Sequence, residues 1–320
     1  MILVENLAKA FGPKTAVDRI SFQVERGEVL GFLGPNGAGK STTMRMITGY
    51  LPPTAGRAVV CGFDVAEQPI EAKRRIGYLP ESAPSYPDMT VQAFLGFAAE
   101  MRGLYGAAKK QAVGRAIDTC FLESVVQQSI DTLSKGFRHR TCLAQALIHD
   151  PEVLIMDEPT DGLDPNQKHE VRTLIRRMGE RKAIVFSTHI LEEVEAACTR
   201  AIIIDRGVIV ANGTPEELKA RSERAGAVLL ALRGPSASVV SETLGRLPQV
   251  SRSEILVEEP NRFVIRVYPD KARADGAFAA QVAEAVVTRW TIEQLQTEEG
   301  RLDDVFRSLT RPDTAREVAQ

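Results

Sequence analysis

Polar and apolar residues alternate along Met1–Ala8 and again along Val17–Val24, the two-residue period of half-buried strands, with Gly12 and Pro13 punctuating the turn between them. An antiparallel edge is expected there. Glu28–Leu33 (EVLGFL) then reads as a buried strand, and Lys40–Gly49 as a helix closed by its glycine. From Thr90 the period lengthens to that of a helix. Val91, Phe94, Leu95, Ala98 and Met101 share one stripe, Thr90 stands at the N-cap and Gly103 at the stop. A second helix is expected over Lys109–Cys120. The turn-rich stretch Leu79–Tyr86 places Glu81 on a loop leading into this helical subdomain, about residues 82–150.

Helix and strand then alternate. Arg138–His149, Asn166–Glu180 and Leu191–Cys198 read as helices, and Val153–Asp157, Ala183–Ser187 and Ala201–Asp205 as short apolar strands. That order implies parallel strands with crossover helices, hence an α/β core, in a first domain of residues 1–221. Past Gly213 the texture changes. Pro215–Arg224 reads as a charged helix, and residues 222–226 as a linker. From 227 to 310 the pattern is strand (Val228–Leu232), helix (Ser236–Leu247), strand (Val250–Val257), strand (Arg262–Val267), helix (Ala274–Arg289) and strand (Trp290–Gln296). This β-α-β-β-α-β order predicts a ferredoxin-like α+β domain. It carries no phosphate loop or ligand cluster, which suits a regulatory or dimer-stabilising part, and Trp290, the only tryptophan, is expected in its core. Residues 311–320 read as a disordered tail.

Two strings carry chemistry. Gly34, Pro35, Asn36, Gly37, Ala38, Gly39, Lys40 and Ser41 fit G-x-x-x-x-G-K-[ST], a loop whose backbone N–H groups wrap phosphates while the lysine reaches the outer ones and the serine takes Mg²⁺. A strand precedes the loop and a helix, continuing through Thr42, follows it, so the helix N-terminus adds its free N–H groups to an anion site. Asp157 and Glu158 follow the apolar strand VLIM, at the carboxyl edge of a parallel sheet, where such sheets bind ligands. Phosphoryl transfer to water needs a metal near the phosphates and a group that orients or deprotonates the water. Asp157 suits the first task and Glu158 the second. Phe11, at the first turn, could stack on a base or simply pack.

Composition narrows the classes. The 320 residues exceed one average domain, and 42 acids against 40 bases leave a net charge of -2, unlike a dedicated polyanion binder. The four cysteines, Cys61, Cys120, Cys142 and Cys198, are widely spaced and form no zinc pattern, as expected for reduced thiols. The amino-terminal stretch lacks a secretory pattern, and no apolar run approaches the roughly 18–20 residues that span a bilayer. A cytoplasmic chain is expected.

GPNGAGKS, LSKGFRHR, VLIMDEPTDGLD and STHIL, in this order, resemble the ATP-binding subunits of ABC transporters over about the first two thirds of the chain. The resemblance implies a P-loop ATPase fold with a helical subdomain, ATP and Mg²⁺ as ligands, and a homodimer sandwiching two ATP. It also implies a separate membrane permease that holds the chain at the inner face of the cell membrane. By the same resemblance Phe11 stacks on adenine and Glu81 occupies the Q-loop position near the metal, with Ser41 and Asp157. Ser134 and Gly136, in the signature Leu133–Phe137, complete the partner's site, Asp161–Asp164 is the D-loop, and Lys40, Glu158 and the switch histidine His189 are catalytic. LPE, LSKG and LDDVFRSLT resemble the exporter (ABC-2-type) branch, which includes drug, natural-product and gliding-motility ATPases. The signature departs from LSGGQ at Lys135 and Phe137, and Glu81 stands where glutamine is usual, which changes the charge beside the metal.

The alternative is a soluble ABC ATPase acting on ribosomes or nucleic acid. A single P-loop and the absence of sustained heptads speak against it. The basic cluster Lys135–Arg140 fits a phosphate-facing signature better than a nucleic-acid patch, so no direct nucleic-acid binding is expected. His149 and His169 are expected on the solvated surface.

Overall fold

The computed structural model describes residues 1–82, 85–234 and 236–310. They form two compact units, Met1–Pro215 with Leu309 and Thr310, and Glu216–Ser308. The tail expected to be disordered, 311–320, lies outside the described residues.

The first unit opens with an antiparallel hairpin, β1 (Ile2–Phe11) and β2 (Lys14–Val24), followed by β3 (Val29–Leu33) and α1 (Lys40–Ile47). Strands β4 (Ala55–Val60) and β5 (Phe63–Asp64) return beside β1, so this sheet runs β2-β1-β4-β5. After α2 (Pro69–Arg75) and β6 (Ile76–Leu79) come three helices, α3 (Val91–Met101), α4 (Gly106–Cys120) and α5 (Lys135–Leu147). The chain then alternates through β7 (Val153–Asp157), α6 (Pro165–Gly179), β8 (Ala183–Thr188), α7 (Leu191–Ala197), β9 (Arg200–Asp205) and β10 (Val208–Gly213).

The second sheet has the order β10-β9-β3-β8-β7-β6, parallel except for the edge strand β10. Its central strands β3, β7 and β8 are buried at every position, which is why they read as unbroken apolar runs. Alternate residues serve two cores. Leu154, Met156 and Phe186 face the helices with Phe94, Leu95 and Leu143, whereas Ile155 and Val185 share the opposite core with Ile2, Val4, Phe32 and Met44. The order β3-β8-β7 brings the carboxyl ends of the glycine-loop strand, the STH strand and the Asp157 strand side by side, with Leu33 in register with Thr188 and Asp157 with Ser187.

The ends of several helices differ from the sequence reading. α5 begins at Lys135 rather than Arg138, because Ser134 caps it by accepting from the Phe137 N–H at 3.3 Å. α4 begins at Gly106, ahead of Lys109, and α8 (Pro215–Lys219) stops well short of Arg224.

In the second unit β11 (Val228–Arg233), α9 (Ala237–Gly245), β12 (Val250–Glu259), β13 (Arg262–Pro269), α10 (Phe278–Val287) and β14 (Thr291–Thr297) are followed by α11 (Leu302–Leu309). The sheet order β12-β13-β11-β14, antiparallel throughout, is the ferredoxin-like arrangement, and Trp290 is buried in its core with Leu230, Phe263 and Val282. Residues 222–226, read as a linker, are built into this unit. Ser222 Oγ donates to Asp304 at 3.0 Å, the Gly226 N–H donates to the Glu298 carbonyl at 3.1 Å, and Lys271 Nζ donates to the Ser222 carbonyl at 2.8 Å.

Candidate active site

The loop after β3 turns tightly onto α1 because Gly37 and Gly39 take positive φ, +76° and +109°. A Cβ on Gly39 would stand 2.6 Å from the Ala16 carbonyl oxygen, so only glycine fits. Gly39 is also the N-cap of α1 and offers no side chain to it, leaving the first N–H groups of the helix available to a ligand. Lys40 folds back over the loop. Its Nζ donates to the carbonyls of Gly34 (2.7 Å) and Pro35 (3.2 Å), and burial lowers its pKa while Glu158 and Asp157 oppose the shift.

At the end of β7 the two carboxylates sit differently. Asp157 is fully buried. Its Oδ1 accepts from Ser187 Oγ on β8, and its Oδ2 has no hydrogen-bond partner among the described residues. Glu158 adopts a left-handed backbone (φ +52°), held by its N–H, which donates to the Ser187 carbonyl (3.2 Å) and Ser187 Oγ (3.1 Å). A non-glycine residue there costs about 1–3 kcal/mol, and such strain persists where the surroundings over-determine it. The carboxylate bridges Lys40 and His189, with Oε1 3.7 Å from Lys40 Nζ and Oε2 2.9 Å from His189 Nδ1. Burial raises the Glu158 pKa above the ordinary carboxylate value, against the pull of His189 and Lys40. His189 itself is half exposed.

Lys40 and Glu158 open onto a cavity of about 350 Å³, lined also by Phe11, Lys14, Ala16, Asn36, Gly37, Gly39, Ser41, Thr42 and Glu81, whereas Asp157 and His189 are not part of its lining. Phe11 ends β1 with half its surface exposed, and Lys9 Nζ lies 5.3 Å from its ring centroid. A wider hollow of about 850 Å³ lies against Leu3–Asn6 and Ser21–Gln23, but it carries no phosphate loop and no carboxylate pair.

Ser134, Gly136 and Asp164 do not line the cavity. Ser134 caps α5, and Gly136 leaves room for Gln167 of α6. Asp164 forms a capping box with Gln167, accepting from its N–H at 2.9 Å. Lys135, the signature departure, pairs with Asp161 at 2.8 Å and lowers that carboxyl's pKa, its stem lying over Gly162. Of the rest of the basic cluster, His139 and Arg140 are buried, Arg140 is paired with Glu170, and Arg138 is exposed. His149, expected on the surface, is a correction. Its Nε2 donates to the Ile76 carbonyl at 3.1 Å, and burial lowers its pKa to about 4, because the chain end of α5 packs against the start of β6.

Sequence reasoning missed a second layer: Ser187, Thr188, Thr160 and Glu193. Two hydroxyls closing an otherwise apolar strand, AIVFST, were the available signal for the first two. Among the described residues no cluster of His, Cys, Asp or Glu forms a metal site complete in the protein alone, and no helix is long and apolar enough to cross a membrane.

The family model "ABC transporter" matches residues 17–161. The chain is similar to the linearmycin resistance ATP-binding protein LnrL of Bacillus subtilis (strain 168), 34% identical over 97% of this chain and 98% of that one. It is also similar to Nod factor export ATP-binding protein I of Paraburkholderia xenovorans (strain LB400), 37% identical over 84% of this chain and 88% of that protein. The chain belongs to the ATP-binding subunits of ABC transporters. A solved ATP-binding subunit of an ABC transporter superposes with a TM-score of 0.64 at 29% identity, covering 69% of this chain and 92% of that one. This ABC subunit is an exporter-type ATPase that binds and hydrolyses ATP.

Proposed function

We propose that this subunit hydrolyses ATP through Glu158, oriented between Lys40 and His189, and that two copies close around two ATP to drive a separate membrane permease. The observation that carries the reading is the Glu158 carboxylate, held at the mouth of the glycine loop by a lysine on one side and a histidine on the other. Burial raises its pKa, which makes it a better proton acceptor than an ordinary carboxylate, while His189 and Lys40 oppose the shift. Lys40 is pinned by two loop carbonyls, so its ammonium is pre-positioned for the outer phosphates. The N–H groups of Gly37–Thr42 take the remaining phosphate oxygens, and Phe11 at the cavity rim stacks on adenine.

Mg²⁺ fits the residues present. Asp157 Oδ2 is a buried oxygen with no partner among the described residues, Ser41 lines the cavity, and Glu81 lines it from the loop after β6. When bound, the ion would neutralise charge on the transferring phosphoryl group. Ser134 and Gly136, at the start of α5 and outside their own chain's cavity, would serve the partner copy's site, and Asp164 caps the start of α6. The relatives named for linearmycin resistance and Nod factor export support a cargo exported through the permease, with the chain at the inner face of the membrane. Residues 1–215 form the motor and the ferredoxin-like unit an accessory part.

Glu158→Gln is the test. It is expected to bind ATP with unchanged affinity and to lose hydrolysis by about 10²-fold or more. Tagged and purified from membranes in mild detergent with ATP and Mg²⁺, it should bring down a polytopic membrane protein at near-equal stoichiometry. Wild-type hydrolysis by this variant would refute the role of Glu158, and ribosomal or DNA-bound material without a permease would refute the partner.

A further inference from the structure

Glu193, on α7, is almost wholly buried, and among the described residues it has no ion-pair partner. Its carboxylate is held by two neutral hydroxyls. Thr160 Oγ1 donates to Oε1, and Thr188 Oγ1 donates to Oε2 at 2.6 Å. Burying a carboxylate without a cation is costly, and a hydrophobic residue of similar volume would pack there without that cost. What the carboxylate holds is informative. Thr160 lies inside the turn closed by the Asp161 N–H and the Glu158 carbonyl (3.1 Å), two residues past Glu158. Thr188 immediately precedes His189, and its Oγ1 also accepts from the Ile190 N–H at 3.0 Å, so the backbone on both sides of His189 is tied to this hydroxyl.

We infer that Glu193 is a positioning residue for ATP hydrolysis: its carboxylate clamps the turn carrying Glu158 to the strand end carrying His189. The two side chains meet at 2.9 Å from separate strand ends, and Glu158 holds a left-handed backbone that needs support from outside its own turn. One buried group bonded to both segments supplies that support. Because Glu193, Thr160 and Thr188 do not themselves line the cavity, the clamp acts on the chemical step and leaves nucleotide binding alone.

The inference rests on the proposed roles of Glu158 and His189, and the experiment separates the two. In the full-length protein Glu193→Gln keeps the size but turns one acceptor oxygen into a donor. It is expected to lower kcat for ATP hydrolysis about 10-fold or more, with KM and ATP affinity within about twofold. In the Glu158→Gln background the same change should bring no further loss, since the group it positions has gone. Should Glu193→Gln fail to fold, Thr160→Val, which removes one arm only, provides the same readout. An unchanged kcat, a rise in KM alone, or an equal fractional loss in both backgrounds would overturn the clamp. Wild-type turnover by Glu158→Gln alone would overturn the Glu158 assignment, and the clamp's purpose with it.

Discussion

Glu158 shows how one side chain can be destabilising and useful at once. Its pKa is raised by burial, so the folded protein holds its proton more tightly than the unfolded chain does. A group of this sign adds to stability below the unfolded pKa, and that contribution is lost as pH rises through the folded pKa. Once ionised, the carboxylate therefore weakens the fold relative to a neutral amide, and Glu158→Gln should melt no lower than the wild type at pH 7.5 in a thermal scan. The same shift places the acid limb of the pH–kcat profile above the ordinary carboxylate value of about 4.3, because a base must be ionised to act. An acid limb at or below that value would contradict the assignment. Asp157 differs through partners rather than burial alone, with one oxygen committed to Ser187 and the other without a hydrogen-bond partner among the described residues.

At the scale of elements, the start of α5 and the turn before α6 interlock through Lys135. The Lys135 stem crosses Gly162, which has φ +68° and no Cβ to obstruct it, and the ammonium reaches Asp161 at 2.8 Å. Gly162→Ala should displace the lysine and strain the backbone, costing about 1–2 kcal/mol, most of it conformational because a half-exposed ion pair is worth at most about 1. Lys135→Met leaves the backbone intact and should cost less. Both variants should return the Asp161 carboxyl towards its ordinary pKa, a shift that carboxyl NMR would follow. If Gly162→Ala left Asp161 unmoved, the interlock would be wrong. A signature departure thus has a structural partner within its own chain.

At the scale of the whole molecule, each unit has its own core, and only the first carries the glycine loop. ATP at 100 times its Kd should stabilise the first unit by about 2.7 kcal/mol and leave the second unit's transition in place. Calorimetry of Glu158→Gln with and without ATP and Mg²⁺ would check this, and an equal rise of both transitions would contradict it. The glycine loop, the strands around it and the βαββαβ order were legible in the sequence, because each depends on residues adjacent in the chain: glycines where φ must be positive, apolar runs where strands are covered on both faces. The order β3-β8-β7 was not, yet it alone brings residues 40, 158 and 189 together. Nor were the Glu193 hydroxyl pair, the Lys135–Asp161 bridge, the burial of His149 or the docking of residues 222–226 legible. A carboxylate on a helix looks the same in sequence whether it meets water or two threonine hydroxyls. Local backbone preference is written in neighbouring residues, whereas the partner of a side chain is decided by which distant elements pack together.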